Sequence, residues 1–146
     1  MQTFLPYDDF RECARVLDYK RLGKQRVEAW QILNALKGES RGWRNHPAVL
    51  MWAGRERALN EYGREMCLEW RERGYVDNML ERFVCVGDPT PPMWLGDNRI
   101  HLSHQSNLIR KDPLYYQPLF PNVPDNLAYF WITKEKEDRK STRLNS

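Results

Sequence analysis

Apolar residues recur at helical spacing along much of the chain. Leu22, Ala29, Leu33 and Leu36 lie +7, +4 and +3 apart, which places them on one helix face. Asp8 or Asp9 can cap the start, so the pattern predicts a helix from near Phe10 to about Leu36, with Gly38 as its stop. Gly23 falls inside that stretch at a cost of roughly 1 kcal/mol relative to alanine. It either bends the helix or lets something approach its backbone closely. Pro47 suits a first helical turn, where its missing N–H costs nothing. The next helix is predicted to run to about Arg73, before Gly74, a length of roughly 40 Å. Trp52, Leu59, Tyr62, Met66 and Trp70 form its core stripe.

Residues 85–100, "CVGDPTPPMWLGDNRI", read as a Pro/Gly loop. A short helix is expected from Ser103, its cap, to Lys111, with Pro113 ending it. The stretch "PLYYQPLFPNVPDNLAYFW" is rich in proline and aromatic residues and reads as an extended wrap that buries rings on the helices. The expected fold is mainly α: a compact single-domain helical fold with long irregular loops and a Pro/aromatic-rich C-terminal wrap.

Length and composition agree with that. At 146 residues one domain is expected, and 41% hydrophobic residues with six tryptophans suffice for a core. No run of 18 apolar residues suggests a membrane span, and "MQTFLPYDDF" lacks the basic-then-apolar order of a signal peptide. Cys13, Cys67 and Cys85 are an odd set without CxxC spacing, which points to free thiols and a cytoplasmic protein. The segment "DRKSTRLNS", residues 138–146, resembles the translation of a common short-read sequencing adapter, a known contaminant of metagenomic gene sequences. It is set apart from a helical domain over residues 1–137. Without it the charge is 20 basic against 19 acidic residues, a net of +1 in place of +3. Global basicity therefore does not point to nucleic acid; only local clustering can.

Such a cluster exists. "LDYKRLGKQR" carries Lys20, Arg21, Lys24 and Arg26 against the single acid Asp18, and Arg11 to Arg26 holds six cations and two acids. Arg21, Lys24 and Glu28 share a helix face, with Gln25 and Gln31 beside them. A carboxylate between two cations is held in place as an anion, suited to stabilising developing positive charge or to activating water. The same spacing also makes an ordinary salt-bridged surface. By contrast, the six arginines and seven acids from Arg55 to Arg82 alternate as a solvated face does.

Of the three histidines, His46 lies in "GWRNHP" and can cap the second helix with Asn45; His101 and His104 lie in "HLSHQSNLIRK". No cysteine pair accompanies them, so no metal and no cofactor is expected. His104, Asn107 and Lys111 would share a helix face flanked by Gln105 and Arg110, a set able to bind phosphates and base edges. Local hydrogen bonding is the alternative for His104. Trp43, beside Arg41 and Arg44, and Trp94, near Arg99, are loop aromatics suited to base stacking or to lidding the core. The sequence has no P-loop, no dinucleotide-binding fingerprint and no nucleophile elbow.

Together, "MQTFLPY", "LDYKRLGKQRVEAWQIL", "GWRNHPAVLMW", "WRERGYVD" and "SHQSNLIRKDPLYYQPLFP" resemble the bacterial branch of the pyrimidine dimer DNA glycosylase family. The similarity covers essentially residues 1–131, and that to the bacteriophage members is more distant. The resemblance implies a compact α fold, damaged duplex DNA as partner and no metal. It implies an N-terminal amine that attacks the sugar C1′, forms an imine, displaces the base and permits β-elimination. An α-amino group titrates near 8, so part of it is a free nucleophile at neutral pH. A glutamate on the first long helix is expected to assist, and nearby cations to hold a kinked backbone.

Two positions depart from the pattern. Bulky Gln2 should keep Met1 in place, so the amine would belong to Met1, or to Gln2 after unusual processing. Arg21 stands where the family glutamate is expected; Glu28, two turns along, and Asp18 are the nearest carboxylates. The candidate catalytic set is Met1, Gln2, Arg21, Glu28, His46 and His104. The candidate DNA contacts are Lys20, Lys24, Arg26, Arg44, Asn45, Gln105, Asn107, Arg110 and Lys111, with Trp43 and Trp94 stacking on bases. Neither a membrane nor an obligate protein partner is expected. The alternatives are the same fold acting on a nucleotide or modified base, with weak salt dependence, and a noncatalytic DNA-binding module.

Overall fold

The computed structural model describes residues 1–38 and 44–133. Among them the regular elements are all helical: α1 (Phe10–Val16), α2 (Tyr19–Leu36), α3 (Pro47–Trp52), α4 (Glu56–Glu72), α5 (Asn98–Lys111) and α6 (Pro113–Tyr116), with a 3₁₀ turn at Leu80–Arg82. The fold is mainly α, as the spacing predicts. Arg41, Trp43 and the segment 138–146 lie outside the described residues. No helix among the described residues is long and apolar enough to cross a membrane.

The predicted helix over 10–36 is two helices. Asp9 caps α1 through the Glu12 N–H at 3.1 Å. The chain then leaves helical geometry at Leu17 and restarts at Asp18, whose side chain caps α2. Asp18 can hold this break because its N–H donates to the Tyr116 hydroxyl at 2.9 Å while that hydroxyl donates back to its carboxylate. The helix predicted over 47–73 is also two, divided at Gly54, where φ is +79°. Pro47 opens α3 as expected. The helix near 103 begins five residues early, at Asn98, capped by Asp97 rather than by Ser103. The last segment is irregular apart from α6, and Tyr129, Phe130 and Trp131 pack on the core.

Helices α2 and α4 cross at the centre. Leu22, Ala29, Ile32 and Leu33 meet Leu59, Tyr62 and Met66, with Ile100 and Leu108 of α5 also buried. Two helical glycines allow close packing here, Gly23 between α2 and α4 and Gly63 between α4 and the segment after the 3₁₀ turn. A Cβ on Gly23 would lie 2.9 Å from the Trp70 ring, which answers what its place in the helix is for. A Cβ on Gly63 would run into the ring of Phe83, which is itself buried. Gly63→Ala is expected to destabilise the protein by about 1–3 kcal/mol despite alanine's better helix propensity, because overpacking outweighs that gain. Urea unfolding measures it; a stabilised variant would contradict the packing.

Candidate active site

The first residues of the chain have no helical or alternating pattern, yet Gln2 through Pro6 are buried. Buried backbone groups need partners, and here side chains from four helices supply them. The Gln2 N–H donates to Glu28 Oε2 at 3.1 Å, and its carbonyl accepts from Gln25 Nε2 at 2.9 Å. Gln25 Oε1 accepts the Phe4 N–H at 2.9 Å, and the Phe4 carbonyl takes the Tyr62 hydroxyl at 2.8 Å. The Leu5 N–H donates to His104 Nδ1 and the Leu5 carbonyl faces His101 Nδ1, both at 2.8 Å. Trp52 Nε1 donates to the Thr3 hydroxyl and Gln105 Nε2 to the Pro6 carbonyl. This threading brings Met1 to the wall of an open cleft.

The cleft has a volume of about 560 Å³. Met1, Gln2, Gln25, Glu28 and His46 line it, with Lys20, Arg21, Lys24 and Lys111 as its cations and Phe4, Tyr129 and Trp131 as its aromatic wall. Lys20, Arg21 and Lys111 also line a second cleft of about 470 Å³, with Tyr19 and Tyr115. These cations therefore form a ridge between two concave surfaces. Arg21 is fixed to Asp18 at 3.1 Å, and Lys111 lies over the Phe4 ring. Although burial pushes the Asp18 carboxyl up, hydrogen bonds from Tyr116 and Arg21 hold it below the usual carboxylate range.

Glu28 is set deep, with a side chain only 10% exposed; it accepts hydrogen bonds from the Gln2 N–H and from Gln25 Nε2, both at 3.1 Å, and forms an ion pair with Lys24 at 3.7 Å. His46 caps α3, its Nδ1 accepting the Ala48 N–H at 3.1 Å. Burial lowers its pKa, the Met1 ammonium lowers it further, and Glu28 opposes them. His46, Met1 and Glu28 are thus electrostatically coupled. In the neutral tautomer with Nδ1 accepting, the proton of His46 sits on Nε2, so the ring is a donor rather than a base.

His104 is not in the cleft. It is fully buried beneath the N-terminal segment, and burial, reinforced by His101, lowers its pKa to about 3. The unfolded chain binds a proton near pH 6.5 that the folded chain refuses until about pH 3. Stability is therefore complete above pH 6.5 and falls as pH drops, by up to about 1.4 kcal/mol per pH unit from this group. Urea unfolding between pH 4.5 and 7 is expected to show that slope, and His104→Asn to flatten it. A slope unchanged by that substitution would contradict the assignment.

Of the remaining sequence-predicted residues, several are engaged elsewhere. Trp94 is 3% exposed, packs on Trp52 and donates to the Met51 carbonyl at 2.8 Å, so it is a core residue and not presented to a base. Arg26 pairs with the buried Asp77 and stacks on Trp70. Asn107 and Arg110 bind each other and the Leu127 carbonyl, and Arg110 also holds the Asp125 carbonyl; they fasten the last described segment. Gln105 is bonded to the Pro6 carbonyl. Arg44 and Asn45 are exposed next to His46. Gln25, Phe4, Tyr129 and Trp131 were not foreseen as site residues. The place of Gln25, one helical turn before Glu28, was the available signal for the first; nothing local marked the others.

Among the described residues, no group of three or more His, Cys, Asp or Glu is arranged to hold a metal ion. No curated protein and no solved structure matches the chain. Residues 1–82 match a family model described as pyrimidine dimer DNA glycosylase. That match spans more than half of the 146 residues and contains α1 to α4, the first residues and Glu28. The chain belongs to the pyrimidine dimer DNA glycosylase family, whose members act on DNA.

Proposed function

We propose that this protein is a DNA glycosylase and AP lyase that acts on damaged duplex DNA through the α-amino group of Met1. The observation that carries the reading is the threading of the first residues into a cationic cleft, with Glu28 bonded one peptide away from the amine. Attack of the neutral amine on C1′ forms a C–N bond as the bond to the base breaks. The bonding pair leaves with the base, which takes up a proton. Glu28 accepts the proton released by the amine and returns it to the ring oxygen, opening the sugar to an imine. Loss of a C2′ proton then expels the 3′ phosphate, and hydrolysis of the imine frees the amine.

Each cleft feature has a part in this reading. Lys20, Arg21, Lys24 and Lys111 hold phosphates on either side of the reacting nucleotide. Arg21 occupies the family glutamate's place and serves as a phosphate ligand. The aromatic wall receives a base taken out of the stack. The test is borohydride trapping on ultraviolet-irradiated duplex DNA. A covalent protein–DNA adduct is expected; its absence on irradiated, abasic and otherwise damaged duplexes would sink the lyase mechanism.

A further inference from the structure

Among the cations of the cleft, Arg21 differs from Lys20, Lys24 and Lys111. The Lys24 side chain is 72% exposed, and Lys20 and Lys111 are exposed residues, whereas the Arg21 side chain is 26% exposed and set lower in the ridge. Its guanidinium is also anchored. Nη1 donates to Asp18 Oδ1 at 3.1 Å, and the Arg21 N–H donates to Asp18 Oδ2. Asp18 is held in turn from 98 residues along the chain: its N–H donates to the Tyr116 hydroxyl at 2.9 Å, and that hydroxyl donates to Oδ1. Tyr116 is fully buried and lies parallel to the Phe120 ring. Capping α2 requires one carboxylate oxygen and no tyrosine, so the second oxygen and its buried anchor serve the guanidinium.

We propose that Asp18 and Tyr116 are positioning residues: they fix Arg21 in a recessed pose that meets a phosphate displaced toward the ridge, and so make the cleft prefer a bent, damaged duplex to a straight one. A lysine ammonium on its flexible stem follows a backbone of either shape. A guanidinium is a rigid fork that takes phosphate oxygens in fixed directions. The pair with Asp18 engages Nη1, which leaves further N–H donors for such a phosphate. Damage weakens base stacking and lowers the cost of bending, so a ligand reached after the bend turns deformability into selectivity. The anionic Asp18 also weakens the hold of the ridge on phosphates that do not engage Arg21. Tyr116 lies beyond residues 1–82, so the family match does not supply this anchor. The inference rests on damaged duplex DNA as the ligand of the cleft.

Equilibrium binding to irradiated and undamaged duplexes of one sequence gives a selectivity ratio. Tyr116→Phe keeps the ring, the cap and every charge, and is expected to lower that ratio about tenfold, the usual worth of a hydrogen bond to a charged group. Arg21→Lys keeps the charge but loses the fork, and is expected to lower the ratio about as far. The double variant is expected to lose no more than either single one, because both remove the same interaction. Asp18→Asn retains the cap, and is expected to tighten binding of undamaged duplex at low salt. Unchanged selectivity in Arg21→Lys, or additive losses in the double variant, would overturn the positioning role. So would a Tyr116→Phe protein that loses melting temperature but no selectivity. A wild-type protein that binds both duplexes equally would instead remove damaged DNA as the ligand, and the role of the anchor with it.

Discussion

Glu28→Gln is expected to lower the rate of adduct formation by at least about a hundredfold, the usual loss when a positioned acid–base group is removed. The substitution keeps the geometry: a glutamine oxygen can still accept the Gln2 N–H, which now meets Oε2 at 3.1 Å. What is lost is a carboxylate able to receive and return a proton. DNA affinity is expected to hold or to tighten, because the change removes negative charge from beside Lys24 and the other cleft cations. Single-turnover trapping and equilibrium binding to the same duplex separate the two effects. A parallel fall in binding would make Glu28 a structural residue.

The second large effect belongs to Gln25, which is 1% exposed and joins the Gln2 carbonyl, the Phe4 N–H, Glu28 and Tyr62. Gln25→Leu has similar size but leaves the buried Phe4 N–H and the buried Gln2 carbonyl without partners, while the Tyr62 hydroxyl keeps the Phe4 carbonyl. At about 1–3 kcal/mol for each of the two unsatisfied groups, with some relief by relaxation, a loss of about 2–4 kcal/mol is expected. That corresponds to about 10 °C in melting temperature for a protein of this size. Trapping should also fall at temperatures where the variant remains folded, because the tether that presents Met1 is gone. A change below about 1 kcal/mol would mean that the network does not fix the N-terminus.

These two residues mark where sequence reading succeeds and where it stops. The core stripe from Trp52 to Met66 was legible, because burial along a helix leaves a period that any window detects. The cationic face with Glu28 was legible for the same reason, since side chains three and four apart meet on a helix. The breaks at Asp18 and Gly54 were harder. Each residue is compatible with a continuous periodic pattern, and Asp18 ends the first helix with help from Tyr116, 98 residues away. Trp94 shows the limit from the other side: a loop tryptophan near arginine reads the same whether it faces a base or Trp52. The burial of residues 2–6 has no local signature at all, for it is made by hydrogen bonds from Gln25, Tyr62, His101 and His104, which no spacing rule connects.

The proposed chemistry turns on attack of the sugar by the α-amino group of Met1, and the identity of the nitrogen that carries the sugar tests it most directly. The adduct on damaged duplex is reduced with borohydride, nuclease-trimmed and digested, and the modified peptide is sequenced by mass spectrometry. The sugar-derived mass is expected on the α-nitrogen of a retained Met1, within the peptide that begins "MQTFLPY". A modification on the ε-nitrogen of Lys20, Lys24 or Lys111, the other amines of the cleft, would contradict it.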